Sequence, residues 1–236
     1  MKIIGHRGAA GEAPENTLRS AEAAIASGAD GIEFDVRCVG QELVVIHDDS
    51  VDRTTHERGK LEAMSYEQVR AIRTIGGERI PRFDEMLEVA CRTPFVNIEI
   101  KENDIVDAVL ASSRQTVMAL PHPPLLVFSS FHQKATEELA TKIADDRFKL
   151  GVLCDQDAHL ALELAADLKA WSIHYPREAV SERVVSRTHA LGAKAYVYTV
   201  NNTEDYRACL EAGCDGIFTD FPRQMKSLAA QGSIAP

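Results

Sequence analysis

The chain has 236 residues, 45% hydrophobic and 26% charged, with a formal net charge of −10. That length and apolar share fit one large α/β domain over 1–236 better than two small ones. The acidic balance, with no Lys/Arg-rich run, excludes the electrostatic footprint of a nucleic-acid binder and requires any anionic substrate to be held by local positive charge.

The N-terminus, Met1-Lys2-Ile3-Ile4-Gly5-His6, reads as a short apolar strand over 2–5 and carries no signal-peptide pattern. It ends at His6-Arg7-Gly8. Pro14-Glu15-Asn16-Thr17 then opens an Ala-rich helix that Gly28 should stop. A strand over 31–36 follows, in which Ile32, Phe34 and Val36 alternate with Glu33 and Asp35. A strand has period two, so the two acids share one face. A second apolar run, 42–46, ends at His47-Asp48-Asp49. From about 50 to 81 the chain turns polar, and Ser65 with Gln68 has the spacing of a capping box on a short helix. This is an excursion between a strand and its helix rather than a separate domain. Beyond it the alternation is regular. Strands are predicted over 95–100, 125–129, 149–153, 170–174, 194–200 and 216–219, with helices near 84–91, 104–118, 132–145, 157–168, 178–191, 204–212 and 222–230. With the strands at 2–5 and 31–36 that makes eight strand–helix units, the count of a TIM (β/α)8 barrel, a fold of about 250 residues. A doubly wound open sheet would carry a Gly-rich phosphate turn, and none is present. The five cysteines are odd in number and include no Cys-x-x-Cys pair. That points to a reducing compartment. With no apolar run long enough to span a bilayer, the expectation is a cytoplasmic protein without a stable membrane anchor. Apolar faces on barrel helices leave room for a homodimer.

In such a barrel the chemistry collects at the C-terminal ends of strands. The polar residues at those positions are His6 and Arg7, Glu33 and Asp35, His47, Glu99 and Lys101, and Ser129 and Ser130. Singly each has an ordinary structural use: Asp48 and Asp49 as turn residues, Asp220 as a helix cap, Phe131 and Trp171 as core. Together they describe a metal-assisted phosphoryl site. Glu33, Asp35 and Glu99 offer only oxygen to a cation, which favours Mg²⁺ or Ca²⁺. Three carboxylates, a divalent cation and the cationic Arg7 and Lys101 leave one net positive charge, which suits a phosphodiester. His6 and His47 remain for proton transfer. There is no Gly-x-Ser-x-Gly elbow, and no cysteine stands beside a base.

His6-Arg7-Gly8, Pro14-Glu15-Asn16-Thr17, Gly31-Ile32-Glu33-Phe34-Asp35-Val36, His47-Asp48, Arg53-Thr54-Thr55, Asn97-Ile98-Glu99-Ile100-Lys101 and the final Thr219-Asp220-Phe221-Pro222 resemble, in order and spacing, the glycerophosphodiester phosphodiesterase family. The likeness runs over nearly the whole chain. It implies a TIM barrel that hydrolyses small-molecule glycerophosphodiesters to sn-glycerol 3-phosphate and an alcohol. It further implies that Glu33, Asp35 and Glu99 bind the cation and that His6 and His47 are general acid and base in an order left open. Arg7 and Lys101 would hold the phosphate, and Glu15 would lie near the cation or orient His6 or Arg7. The 50–81 excursion matches a short form of the family's inserted segment. One departure is Tyr198, where the family often has Trp. A lysophospholipase D would need an apolar path for an acyl chain, and a non-catalytic barrel would be expected to lack part of the constellation.

Overall fold

The computed structural model describes residues 1–143 and 145–232. The last four residues of the predicted domain, and residue 144 of the predicted 132–145 helix, lie outside the described residues.

Eight parallel strands close on themselves. In chain order they are β1 (Lys2–Gly5), β2 (Gly31–Val39), β4 (Phe95–Ile100), β5 (Leu125–Ser130), β6 (Phe148–Leu153), β7 (Ser172–Pro176), β8 (Lys194–Tyr198) and β9 (Gly216–Thr219). β1 pairs with both β9 and β2, so the sheet is a closed barrel as the strand count predicts. The ninth strand, β3 (Glu42–Val45), returns antiparallel along the far end of β2 and opens the excursion. Helices α1 (Leu18–Ala26), α3 (Phe83–Ala90), α4 (Val106–Met118), α5 (Gln133–Lys142), α6 (Ala158–Asp167), α7 (Glu182–Ala190), α8 (Thr203–Glu211) and α9 (Pro222–Gly232) follow the eight barrel strands.

Local chemistry sets the ends of these elements. The Thr17 side chain accepts a hydrogen bond from the Ser20 N–H and starts α1, and Gly28 stops it in the left-handed conformation that glycine adopts most easily. Within the excursion, Ser65 and Gln68 form the predicted capping box on α2 (Tyr66–Ala71). Among the differences from the sequence reading, β2 runs on to Val39 and β8 ends at Tyr198, and two others have a local cause. β7 starts two residues later than predicted, after Lys169 turns the chain at positive φ. The predicted 178–191 helix begins only at Glu182, because Ser181 caps it and residues 177–179 form a separate 3-10 turn.

Period-two alternation divides each strand. Ile32, Phe34, Ile98, Ile100 and Phe128 point outward into the layer shared with the helices, all fully buried. Phe34 meets Phe83 of α3 at 5.8 Å between ring centroids. Burying a side chain of this size contributes about 1.5–3 kcal/mol. The lumen side carries Ile4, Phe95, Val127, Tyr196 and Phe218, a plug that fills the lower barrel. A third cluster, including Val44, Val51, Leu61, Val69 and Ile80, seats the excursion on β3.

Candidate active site

Above the lumen plug the inward residues turn polar. Parallel pairing sets Glu33 beside Asn97 and Asp35 beside Glu99, so β2 and β4 aim their acids into one space at the C-terminal mouth. One carboxylate oxygen from each of Glu33, Asp35 and Glu99 lies within 4.8 Å of the others. Glu33 and Asp35 are 3% and 1% exposed. Burial, then the neighbouring Asp35 charge, pushes the Glu33 carboxyl well above its ordinary value, and burial with Asp35 does the same for Glu99. Asp35 is held low against its burial by Lys101 and Arg7. The Glu33 Oε1 is buried without a hydrogen-bond partner. An all-oxygen cluster with an orphaned acceptor and mutual repulsion fits a hard divalent cation.

Two fixed cations flank the cluster. Lys101 Nζ is 3.0 Å from Asp35 Oδ1 and also pairs with Glu99. Arg7 donates its backbone N–H to Glu33 Oε2 at 2.6 Å, and its guanidinium reaches Asp35 at 3.4 Å and Glu15 at 2.8 Å. Its φ of +50° is a left-handed conformation that costs a non-glycine residue about 1–2 kcal/mol. The turn that follows needs Gly8, whose φ is +83° and where an added Cβ would meet Ser20 Oγ at 2.4 Å. Asn16, also at positive φ, clamps Asp35 by donating to its Oδ2 at 2.8 Å and accepting from its N–H at 3.2 Å.

The two histidines reach the same cleft from different loops. His6 follows β1, and its Nδ1 lies 2.7 Å from Asp220 Oδ1. Asp220 also accepts from Asn201 Nδ2 at 2.6 Å. Burial opposes the charged His6 ring, but the Asp220 bond and the Glu33 charge outweigh it, so His6 titrates above its ordinary value. His47 follows the β3 run, with Nδ1 at 2.6 Å from Asp48 Oδ1. Burial, with Arg7 and Lys101, holds His47 below its ordinary value.

All seven residues expected at the site therefore converge on one mouth, and Glu15 pairs with Arg7. The sequence reading missed three supports. Asp220 faces His6 rather than capping a helix, Asp48 faces His47 rather than simply opening a turn, and Asn16 holds Asp35. Ser129 is used within the barrel against Asn97, and Ser130 donates to the Ile100 carbonyl. Phe131 is 49% exposed at the rim rather than core, edge-on to Tyr198.

His6, His47, Glu33, Glu99 and Lys101 line an inner cleft of about 190 Å³, whose far wall is Leu153, Tyr198 and Phe218. His47, Glu99, Lys101 and Phe131 also border a wider outer groove of about 520 Å³, which continues past Arg37, Asp49, Ser50 and His132. No helix among the described residues is long and apolar enough to cross a membrane.

Residues 6–224 match the model of the glycerophosphoryl diester phosphodiesterase family. A glycerophosphodiester phosphodiesterase of Caldanaerobacter subterraneus subsp. tengcongensis is 30% identical over 98% of this chain and 98% of its own. One of Bacillus altitudinis is 33% identical over 94% and 95%. The crystal structure of the Thermotoga maritima glycerophosphodiester phosphodiesterase superposes with a TM-score of 0.81 at 29% identity, covering 97% of this chain and 98% of that one. An Oleispira antarctica phosphodiesterase in complex with the product sn-glycerol-3-phosphate gives 0.87 at 25% identity, covering 98% and 97%.

Proposed function

The chain belongs to the glycerophosphoryl diester phosphodiesterase family and is an enzyme of that class, and from that premise we propose that it hydrolyses glycerophosphodiesters to sn-glycerol 3-phosphate and an alcohol in a divalent-cation-dependent reaction. The observation that carries the proposal is the convergence of Glu33, Asp35 and Glu99 between two cations and two imidazoles at the barrel mouth.

Glu33, Asp35 and Glu99 would hold Mg²⁺ or Ca²⁺. A bound cation there supplies Lewis-acid polarisation of the phosphoryl oxygen. Arg7 and Lys101 are placed to bind phosphate oxygens and to stabilise the charge that builds on them in the transition state. One histidine takes a proton from the nucleophile, and the other gives one to the leaving alkoxide. Asp220 and Asp48 each accept from an Nδ1–H, which fixes the ring and leaves Nε2 for the reaction. Phosphate held against Arg7 and Lys101 would lie in the inner cleft that His6 and His47 both line, within reach of either ring.

The outer groove supports one substrate reading over the other. Arg37, His47, Asp48, Asp49, Lys101 and His132 give it a charged lining. With only Ile100 and Phe131 as apolar members, that lining favours a small polar alcohol over the acyl chain of a lysophospholipid. The test is coupled detection of glycerol 3-phosphate released from glycerophosphocholine, with EDTA, Mg²⁺ and Ca²⁺ compared. Release that chelator abolishes and one cation restores is the expected result. Folded protein that releases none with any cation would overturn the substrate assignment.

A further inference from the structure

The excursion carries one arginine into the catalytic mouth. Arg53 Nη1 and Nη2 fork onto Glu15 at 2.7 and 2.8 Å. Its Nε donates to Asp48 Oδ2 at 2.6 Å, and Nη2 reaches Asp48 Oδ1 at 3.2 Å. Glu15 in turn accepts from Arg7, and Asp48 from His47. The result is an unbroken chain, Arg7–Glu15–Arg53–Asp48–His47. It joins the β1–α1 loop, which carries Arg7 and Glu15, to the β2–α3 connection, which carries His47, Asp48 and Arg53.

The Arg53 side chain is 47% exposed, and surface ion pairs contribute little. The backbone beneath it is pinned independently. The Thr55 hydroxyl donates to the Val51 carbonyl at 2.8 Å, Thr55 is 4% exposed, and the Ile75 N–H donates to the Thr54 carbonyl at 2.8 Å. A fixed turn therefore presents a guanidinium whose three nitrogens are all engaged on two carboxylates. A lysine ammonium lacks this planar fork and does not reproduce it.

We propose that Arg53 is a positioning residue that locks Arg7 and His47 into one frame through Glu15 and Asp48, a role that rests on the assignment of those two residues given above. Arg53 does two things at once. It shares the charge of Glu15, so Glu15 orients Arg7 without holding it back from phosphate. It also fixes Asp48, so the His47 ring keeps one orientation. The excursion thereby couples the phosphate-holding side of the site to the proton-transfer side.

The experiment compares the full-length wild type with Arg53→Ala, Arg53→Lys and Arg58→Ala. Arg58 lies on the same excursion, 79% exposed and 3.7 Å from Asp52, and serves as the control. Two readouts are taken: kcat and KM for glycerol 3-phosphate release with Mg²⁺, and the His47 Nδ1–H resonance without substrate. Arg53→Ala should lower kcat about 10–100-fold, the usual cost of removing a partner that orients a working residue. KM should rise less, Arg53→Lys should restore little, and millimolar guanidinium should recover part of the Arg53→Ala loss. The Nδ1–H signal should broaden in both Arg53 variants and stay sharp in Arg58→Ala. A folded Arg53→Ala protein with wild-type kcat and a sharp signal would overturn the proposal. So would equal losses in Arg58→Ala, or a loss that guanidinium leaves untouched while the resonance stays sharp. If the wild type itself hydrolyses no glycerophosphodiester, the substrate assignment fails, and the resonance alone decides the role of Arg53.

Discussion

Acid should destabilise this barrel in part through His174. The residue lies on β7 with its side chain inside the lumen, fully buried, between Tyr196 and Phe218 at centroid distances of 5.6 and 5.0 Å. Its Nε2 meets Ser172 Oγ at 2.9 Å, and its Nδ1 has no partner. Burial pushes the ring down to about 3 from 6.5. A histidine held low is neutral in both states above pH 6.5 and contributes nothing to the pH dependence there. Below 6.5 the unfolded chain takes up a proton that the folded ring refuses, so stability falls as pH falls, until the folded ring titrates near 3. Linkage gives a loss of about 2 kcal/mol at pH 5 and a little over 4 kcal/mol at pH 3. His174→Asn removes that proton uptake. Its packing cost is independent of pH and cancels when each protein is compared with itself. The assay is urea unfolding of wild type and variant at pH 8 and pH 5, with EDTA present so that carboxylate–metal linkage does not enter. Between those pH values the wild type should lose about 2 kcal/mol more than the variant. Equal losses in the two proteins would show that the ring is not neutral in the folded state, and the reasoning would fail.

Other expectations concern turnover. His6→Ala and His47→Ala should each cost about 10²–10⁴ in kcat. With a p-nitrophenyl leaving group, which needs no proton, one of the two losses should largely vanish, and that variant identifies the acid. If neither loss changes with leaving group, neither histidine is the proton donor. Asp220→Asn keeps the size of its side chain but removes the charge opposite His6 at 2.7 Å. Charge-assisted bonds of this kind are worth about 1.5–3 kcal/mol, so kcat should drop roughly 10–150-fold and the His6 limb of the pH–rate profile should move to lower pH. An unmoved limb would argue against the pairing. Glu33→Gln should weaken cation affinity and recover part of its activity at high Mg²⁺, read by titrating the metal at fixed substrate. A loss unaffected by added metal would take Glu33 out of the ligand set.

The strands and most of the site were legible because both follow local rules. Period two on 31–36 put Glu33 and Asp35 on one face, and strand-end logic collected His6, Arg7, Glu99 and Lys101. The pairings that orient these groups were not legible from local pattern. His6 and Asp220 are 214 residues apart and meet only because β1 closes on β9, where Gly5 pairs with Thr219. Once closure is assumed, the next residue on each strand is His6 or Asp220, so the register itself held the signal. Arg53 was marked only as part of the Arg53-Thr54-Thr55 motif, which gave it neither a partner nor a role. It sits in a polar excursion whose path depends on a small core under β3, and charge alone did not separate it from Arg58 or Arg73.

Electrostatics explain how an acidic chain handles an anion. Within the inner cluster, Glu33, Asp35 and Glu99, once all are ionised, face Arg7 and Lys101 with one net negative charge. A phosphodiester is repelled by that balance. A divalent cation reverses its sign, and the two cationic side chains, each already within reach of a carboxylate, gain freedom to turn toward phosphate. On the proposed function, anion affinity is therefore conditional on the cation. Linkage makes the condition reciprocal, so bound phosphate must tighten the cation by the same factor. The KM for substrate should fall as Mg²⁺ rises, and the Mg²⁺ needed for half-maximal rate should fall as substrate rises. A site whose carboxylates served only to pair with Arg7 and Lys101 would show neither dependence.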